Sequence, residues 1–304
     1  MLKAALIFPG QGAQYVGMGR DFYETCPPAK NIFDKANNII SGLTDVIFNG
    51  PPEKLTSTAY CQPAVFTLSI AVLKALQAHS KFSQFSPQYA CGLSLGEYSA
   101  LVACGALSFE ETLKLVERRS FFMEEATQLK KGTMAAIIGG EKNKLLEICQ
   151  QTGSEAANFN SPEQIVITGE VEKVGEACRL MKEAGAKRVI PLEVSGAFHS
   201  SLMQPAALKF EEELKKVNIQ APQFPIISNV DGLPANNPAY IRKNLAKQIT
   251  SSVQWVNTIE HIAAQGIKDF LEIGPGTVLK GLIRRINPEL RVHNIEKSED
   301  MEKI

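Results

Sequence analysis

Short apolar runs alternate with segments of helical length along the first 130 or so positions of the chain. "KAALIFPG" is brief, continuous and stopped by Pro-Gly, which predicts a strand buried on both faces. "PAVFTLSIAVLKALQAH" has the length of a helix, with Pro63 read as its first-turn proline. "PQYACG" predicts a second strand, and "EYSALVACG" a helix stopped by Gly105. Ser108 followed by Glu111 forms a capping-box pattern that opens a helix reaching about Thr127. Strand and helix in alternation predict a parallel α/β sheet.

The pattern changes over residues 132–192. "GTMAAIIG" predicts a strand, "KNKLLEICQQ" a helix, and "EAANFN" and "QIVITG" two strands joined by a turn at Asn160-Ser161-Pro162. "EKVGEACRLMKEAG" predicts a helix closed by Gly185, and "AKRVIPLE" a strand. The order β-α-β-β-α-β is that of a ferredoxin-like unit. Beyond it come a helix near 201–217, the strand "PIISNV", helices near 239–248 and 253–265, the strand and glycine turn "IKDFLEIGPG", the helix "TVLKGLIRRI" and a last strand, "LRVHNIE". The expected fold is α/β: an α/β-hydrolase-like large domain with a parallel sheet, residues 1–128 and 198–304, carrying an inserted ferredoxin-like small domain, residues 129–197.

Composition fits an ordinary globular protein: 304 residues, 44% hydrophobic and 21% charged. The balance of 32 basic and 32 acidic residues argues against bulk nucleic-acid binding. The apolar run at the N-terminus is too short for a signal peptide, and no stretch of about 18 apolar residues is seen that would suit a membrane span. The six cysteines, at 26, 61, 91, 104, 149 and 178, form no C-x-x-C pair and no metal-ligand spacing. They read as thiols in a reducing cytoplasm.

Gly92-Leu93-Ser94-Leu95-Gly96 matches G-x-S-x-G between a predicted strand and a predicted helix, the nucleophile-elbow context. In such a turn only glycine-sized residues fit two before and two after the serine. The following helix points its N-terminal amides at the site, and the Leu95 N–H is the natural first oxyanion donor. The alternative is a structural turn. A nucleophilic serine needs a base, and the chain has four histidines. His79 ends a helix, His261 lies within one, and His293 is in the terminal strand. His199, in the Gly/Ser loop "VSGAFHSSLM", is the candidate base. Arg119 has Leu115, Val116, Phe122 and Met123 at helical spacing, so it projects from a buried stripe. A buried guanidinium needs an anion, either an internal Asp or Glu or a substrate carboxylate; spacing leaves both open.

Taken together, "FPGQGAQYVGMG", "GLSLGEYSAL", "RRSFFMEEA", "NFNSPEQIVITG", "VSGAFHSSLM", "SNVDG", "SSVQW" and "EIGPGTVLKGLI" resemble the malonyl-CoA:acyl-carrier-protein transacylases, in the family's order across nearly the whole chain. The resemblance implies ping-pong malonyl transfer from malonyl-CoA to acyl carrier protein in fatty acid synthesis. Ser94 would be the nucleophile and His199 its base, oriented by a main-chain carbonyl, a role that falls on Gln248. Gln11 would supply a second oxyanion amide beside that of Leu95. Arg119 would salt-bridge the malonyl carboxylate, and Asn160 would lie near the active-site cleft. Leu93 departs from the histidine often found just before the family's nucleophile, and is expected only to line the pocket. No cofactor and no metal are implied; a cytoplasmic monomer is expected.

Acyl carrier proteins are acidic, so Lys187-Arg188 and Arg284-Arg285 are candidates for a basic rim, with plain surface charge as the alternative. A serine esterase or thioesterase would share the elbow and the histidine, but would normally add a carboxylate and would not need Arg119. A nucleotide-binding module is disfavoured, because Tyr15 stands at the third glycine position of a G-x-G-x-x-G reading of "GQGAQY".

Overall fold

The computed structural model describes residues 1–304. Its strands are β1 (Leu2–Phe8), β2 (Phe85–Gly92), β3 (Gly132–Ile138), β4 (Glu155–Ser161), β5 (Gln164–Glu170), β6 (Arg188–Pro191), β7 (Ile226–Ile227), β8 (Pro234–Ala235), β9 (Asp269–Ile273) and β10 (Arg291–Ile295). They form a larger sheet of order β10-β9-β1-β2-β7-β8 and a smaller one of order β4-β5-β3-β6. The larger sheet is parallel except at the β7–β8 pair.

The unbroken apolar run of β1 follows from its place between β9 and β2, with Ala4 to Phe8 all buried. Strand alternation sorts its side chains. Ala4, Leu6 and Phe8 join the main core, while Ala5 and Ile7 join a second core containing Trp255, Ile259 and Leu279. Each such large side chain contributes about 1.5–3 kcal/mol on burial. Parallel pairing brings the C-terminal ends of β1, β2, β7 and β9 to one edge, the usual location of ligand sites in such sheets.

The helix Thr58–Ala78 begins five residues earlier than Pro63 suggested, and the proline lies inside it. Proline has no N–H for the carbonyl four residues back; that carbonyl, of Ala59, faces the Ser120 hydroxyl at 3.4 Å, while the same hydroxyl lies closer, at 2.9 Å, to Glu117 O. Contrary to the reading that no stretch reaches membrane-span length, this helix does so by length and hydropathy, and 83% of its most apolar window is buried inside the protein. Half of the expected capping box forms at the start of the helix Phe109–Leu129: Ser108 Oγ accepts from the Glu111 N–H at 3.2 Å, but the Glu111 carboxylate takes the Ser108 hydroxyl, at 2.7 Å, rather than the Ser108 main-chain N–H.

Four helices, Arg20–Thr25, Pro27–Ile39, Leu43–Asn49 and Pro52–Thr56, occupy a stretch for which the sequence pattern made no prediction. The strand expected at "PIISNV" is only Ile226–Ile227, and Asn160 and Ser161 end β4 rather than forming the turn.

The smaller sheet is antiparallel throughout. One face, with Ala135, Ile137, Ile165 and Ile167, packs on the helices Lys142–Thr152 and Val171–Glu183. The other face, with Met134, Ala136 and Val166, joins the main core. Val253 ties the two sheets' surroundings together, donating to Ala157 O at 2.8 Å and accepting from the Phe159 N–H at 2.9 Å.

Gly175 is exposed in the middle of the helix Val171–Glu183, and a Cβ built there meets nothing within 4 Å. Gly175→Ala is expected to stabilise the protein by about 0.5–1 kcal/mol; urea denaturation of the variant beside the parent measures it.

Candidate active site

The turn after β2 is set by contact between backbones. A Cβ on Gly92 would lie 2.1 Å from the Gly96 carbonyl carbon, and one on Gly96 would lie 2.1 Å from Phe8 O. Glycine at both positions therefore lets β1, β2 and the helix Gly96–Ala103 meet around Ser94. Ser94 is held at φ 51°. Asn229, just beyond β7, braces it: Oδ1 accepts the Ser94 N–H at 2.6 Å and Nδ2 donates to Gly92 O at 2.7 Å.

His199 is the chain's other non-glycine residue with positive φ, at 57°. Strained backbone of this kind gathers where the surroundings over-determine a functional geometry. Its Nε2 lies 2.8 Å from Ser94 Oγ. Its Nδ1 faces two main-chain carbonyls, Gln248 O at 2.9 Å and Ser251 O at 3.1 Å. Carbonyls only accept, so Nδ1 carries the proton and Nε2 turns its lone pair to the serine hydroxyl. The neighbouring Ser201 is tied to the small sheet, its N–H and hydroxyl both donating to Glu155 of β4.

Arg119 is buried, with 1% exposure. Nη1 donates to Gln62 Oε1 at 2.5 Å, and Nη2 to Gln248 Oε1 at 3.1 Å and Ser94 Oγ at 3.2 Å. Its guanidinium lies 5.3 Å from the Tyr98 ring centroid, and Nε has no partner. Every hydrogen-bonding partner is neutral. Glu97, also buried, accepts from Gln248 Nε2 at 2.6 Å and from the Asn229 N–H at 3.2 Å.

Ser94, His199, Arg119 and Gln62 open onto a cavity of about 740 Å³. Gln11 from the loop after β1, Leu93 and Leu95 from the elbow, and Asn160 from β4 line it, so both sheets contribute walls. Asn160 Oδ1 is buried without a partner. No group of histidine, cysteine or carboxylate side chains is arranged to hold a metal ion.

A profile of the acyl transferase domain matches residues 5–298. A malonyl CoA-acyl carrier protein transacylase of Bacillus subtilis (strain 168) is 44% identical over 308 residues, covering 99% of this chain and 96% of that protein. One of Staphylococcus aureus (strain MRSA252) is 40% identical, covering 99% and 98%. The chain belongs to the malonyl-CoA:acyl-carrier-protein transacylase family. Among solved structures, the transacylase of Coxiella burnetii matches with a TM-score of 0.95 at 38% identity, covering 99% of this chain and 96% of that one. A malonyl-transacylase in complex with a type II polyketide-synthase acyl-carrier protein matches with a TM-score of 0.94 at 36% identity, covering 100% and 98%.

For this member of the transacylase family, the residues singled out in the sequence lie together. His199 and Arg119 each lie within hydrogen-bonding reach of Ser94 and Gln248, and Gln11, Leu93, Leu95 and Asn160 share the cavity of Ser94, His199 and Arg119. The other histidines lie elsewhere: His79 is 3.1 Å from Glu302, His293 is 3.1 Å from Asp269, and His261 packs edge-on against Tyr89. Sequence reasoning missed Gln62, Glu97, Asn229 and the Ser251 carbonyl. Gln62 stands out in hindsight as a large polar residue in an apolar helix, and Glu97 as a charge in the first turn of another. Nothing local marks a carbonyl.

Burial and the Arg119 charge lower the His199 pKa to about 4, against the pull of the two carbonyls that its Nδ1–H meets. Burial raises Glu97 to about 7, opposed by the Gln248 and Asn229 hydrogen bonds. A lowered histidine pKa keeps the basic form as pH falls, so His199 is neutral well below the usual histidine range. Nitrogen-15 NMR of histidine-labelled protein is expected to find the His199 ring, assigned by the loss of its signal in His199→Ala, still neutral at about pH 5.5. A His199 midpoint near 6.5 would contradict the burial and charge described here.

Proposed function

We propose that the chain transfers the malonyl group of malonyl-CoA to the pantetheine thiol of acyl carrier protein through a malonyl-Ser94 ester. The observation that carries this reading is a buried arginine with no carboxylate partner beside a serine hydroxyl paired to a neutral histidine. An acyl group bearing a free carboxylate supplies the anion that the guanidinium lacks.

In the first half-reaction Ser94 Oγ attacks the thioester carbon while His199 Nε2 takes its proton. The C–S bond breaks, and the imidazolium returns the proton to the departing CoA sulfur. In the second half the carrier's thiol gives its proton to Nε2 and its sulfur attacks the ester carbon. The C–Oγ bond then breaks and Oγ regains the proton. The Leu95 and Gln11 N–H groups stabilise the oxyanion of each half; one such donor is worth about 2.7–4 kcal/mol in comparable enzymes.

The serine-esterase reading is weaker, since a carboxylate is missing from His199 Nδ1, which faces carbonyls. The fold reading behind the proposal is an α/β-hydrolase-like domain, 1–128 and 198–304, with a ferredoxin-like insertion, 129–197; the β4-β5-β3-β6 order supports the latter. For the acidic carrier, the exposed Arg284-Arg285 pair at the end of the helix Val278–Ile286 is the better basic rim, because Lys187 is already 3.4 Å from Glu163. Asn160 is read as a contact to substrate, on its unpaired Oδ1. A cytoplasmic monomer needing no cofactor completes the proposal.

Intact mass after exposure to malonyl-CoA is expected to gain one malonyl group in the parent and none in Ser94→Ala. An adduct on the variant would remove Ser94 as the nucleophile. Arg119→Ala is expected to lose about 1.5–3 kcal/mol of malonyl binding, or one to two orders of magnitude in kcat/KM, while acetyl transfer falls less. Equal losses for the two acyl groups would refute the carboxylate clamp.

A further inference from the structure

Glu97 lies three residues past the nucleophile, in the first turn of the helix Gly96–Ala103, at 3% exposure. The chemistry described above gives it no part. Its Oε2 receives both Gln248 Nε2 and the Asn229 N–H, whereas Arg119 hydrogen-bonds only to Gln62, Gln248 and Ser94. The buried carboxylate therefore stands one side chain behind the buried cation.

That intervening side chain has a polarity to be decided. The NH₂ end of the Gln248 amide meets two acceptors, Glu97 Oε2 at 2.6 Å and Ser94 O at 3.0 Å, and its oxygen meets Arg119 Nη2 at 3.1 Å. Turned over, the amide would set oxygen against a carboxylate and a carbonyl, and NH₂ against a guanidinium. Only the observed orientation satisfies all of them. A carboxylate in direct contact with Arg119 would instead take the place of a substrate anion, whereas the neutral Gln248 oxygen leaves the charge of Arg119 uncancelled by a direct partner.

We propose that Glu97 is a positioning residue which, through the Gln248 amide, holds the Arg119 guanidinium against the nucleophile and so sets selectivity for acyl groups carrying a carboxylate. The inference rests on the reading of Arg119 as the carboxylate clamp. Asn229 strengthens the arrangement, because its main chain holds Glu97 while its side chain holds Gly92 and Ser94. Clamp and elbow thus share one buried carboxylate.

The test measures kcat/KM for malonyl-CoA and acetyl-CoA with the full chain, comparing the parent with Arg119→Ala, Glu97→Met, Glu97→Gln, Gln248→Met and the Glu97→Met/Gln248→Met double variant. Gln248→Met keeps the main-chain carbonyl on His199. Glu97→Met and Gln248→Met are each expected to lower the malonyl-over-acetyl ratio roughly tenfold, and the double variant no further, because both break one connection. Glu97→Gln, which retains an oxygen for both donors, is expected to recover the ratio to within about threefold of the parent. The proposal is overturned if Glu97→Met lowers both acyl transfers by the same factor, if Glu97→Gln is as unselective as Glu97→Met, or if the double variant is additive. Should Glu97→Met fail to fold, Gln248→Met carries the test, and an unchanged ratio there overturns the proposal. An unchanged ratio in Arg119→Ala would instead bring down the clamp itself.

Discussion

Backbone-to-backbone contact at two glycines is the constraint from which the rest of the site follows. Gly92 and Gly96 leave no room for a Cβ, with the Gly96 carbonyl carbon and Phe8 O each 2.1 Å from the position one would take. That closeness joins the end of β1, the end of β2 and the start of a helix at one point. Ser94 sits at that point in a left-handed conformation, with Asn229 filling the hydrogen bonds that the turn leaves open. Parallel pairing then delivers the loops after β1, β7 and β9 to the same edge. A side chain at either glycine would separate the elements before it affected any chemistry.

Charge is arranged around that point with unusual economy. Arg119 is buried among neutral partners, Gln62, Gln248 and Ser94, and stacked against Tyr98. A guanidinium keeps its proton even there, so its field persists. The same field, with burial, depresses the neighbouring imidazole and keeps His199 in the form that accepts a proton. An anion bound at Arg119 would cancel part of this effect, leaving the imidazole more basic in the complex than in the free protein. One cation therefore acts on both the nucleophile, through its hydrogen bond to Ser94 Oγ, and the histidine beside it, through its charge.

The two sheets have separate parts in this arrangement. The larger one carries the elbow, and the loop bearing His199 is tied back to β4 of the smaller one through Ser201 and Glu155. The smaller sheet turns one face to its own helices and the other to the main core and cavity. Met134, Asn158, Asn160 and Val166 of the smaller sheet thus form one wall of the cavity into which Ser94 and His199 open.

Local pattern was enough for the elements whose cause is local. The continuous apolar run of β1, the Ser108 N-cap, and the elbow with its two glycines were legible because burial on both faces, a single cap and a steric limit each leave a mark within a few residues. The helix Thr58–Ala78 starts before Pro63 rather than at it, because proline costs only one hydrogen bond near a helix's beginning and burial of the helix in the core outweighs that loss. The short helices over residues 20–56 went unread, and β7 shrank to Ile226–Ile227 because the residues after it turn away to brace Ser94. The chain's own order of residues thus determined which groups were available: a serine on a strained turn, a histidine in a loop, an arginine on a buried stripe. Only the folded state decided that Arg119 has no internal carboxylate, that two carbonyls from a distant turn orient His199, and that Glu97 answers to Gln248. Those are contacts between residues up to about 150 positions apart, and nothing in a linear pattern encodes the distance between two side chains until the sheets have packed.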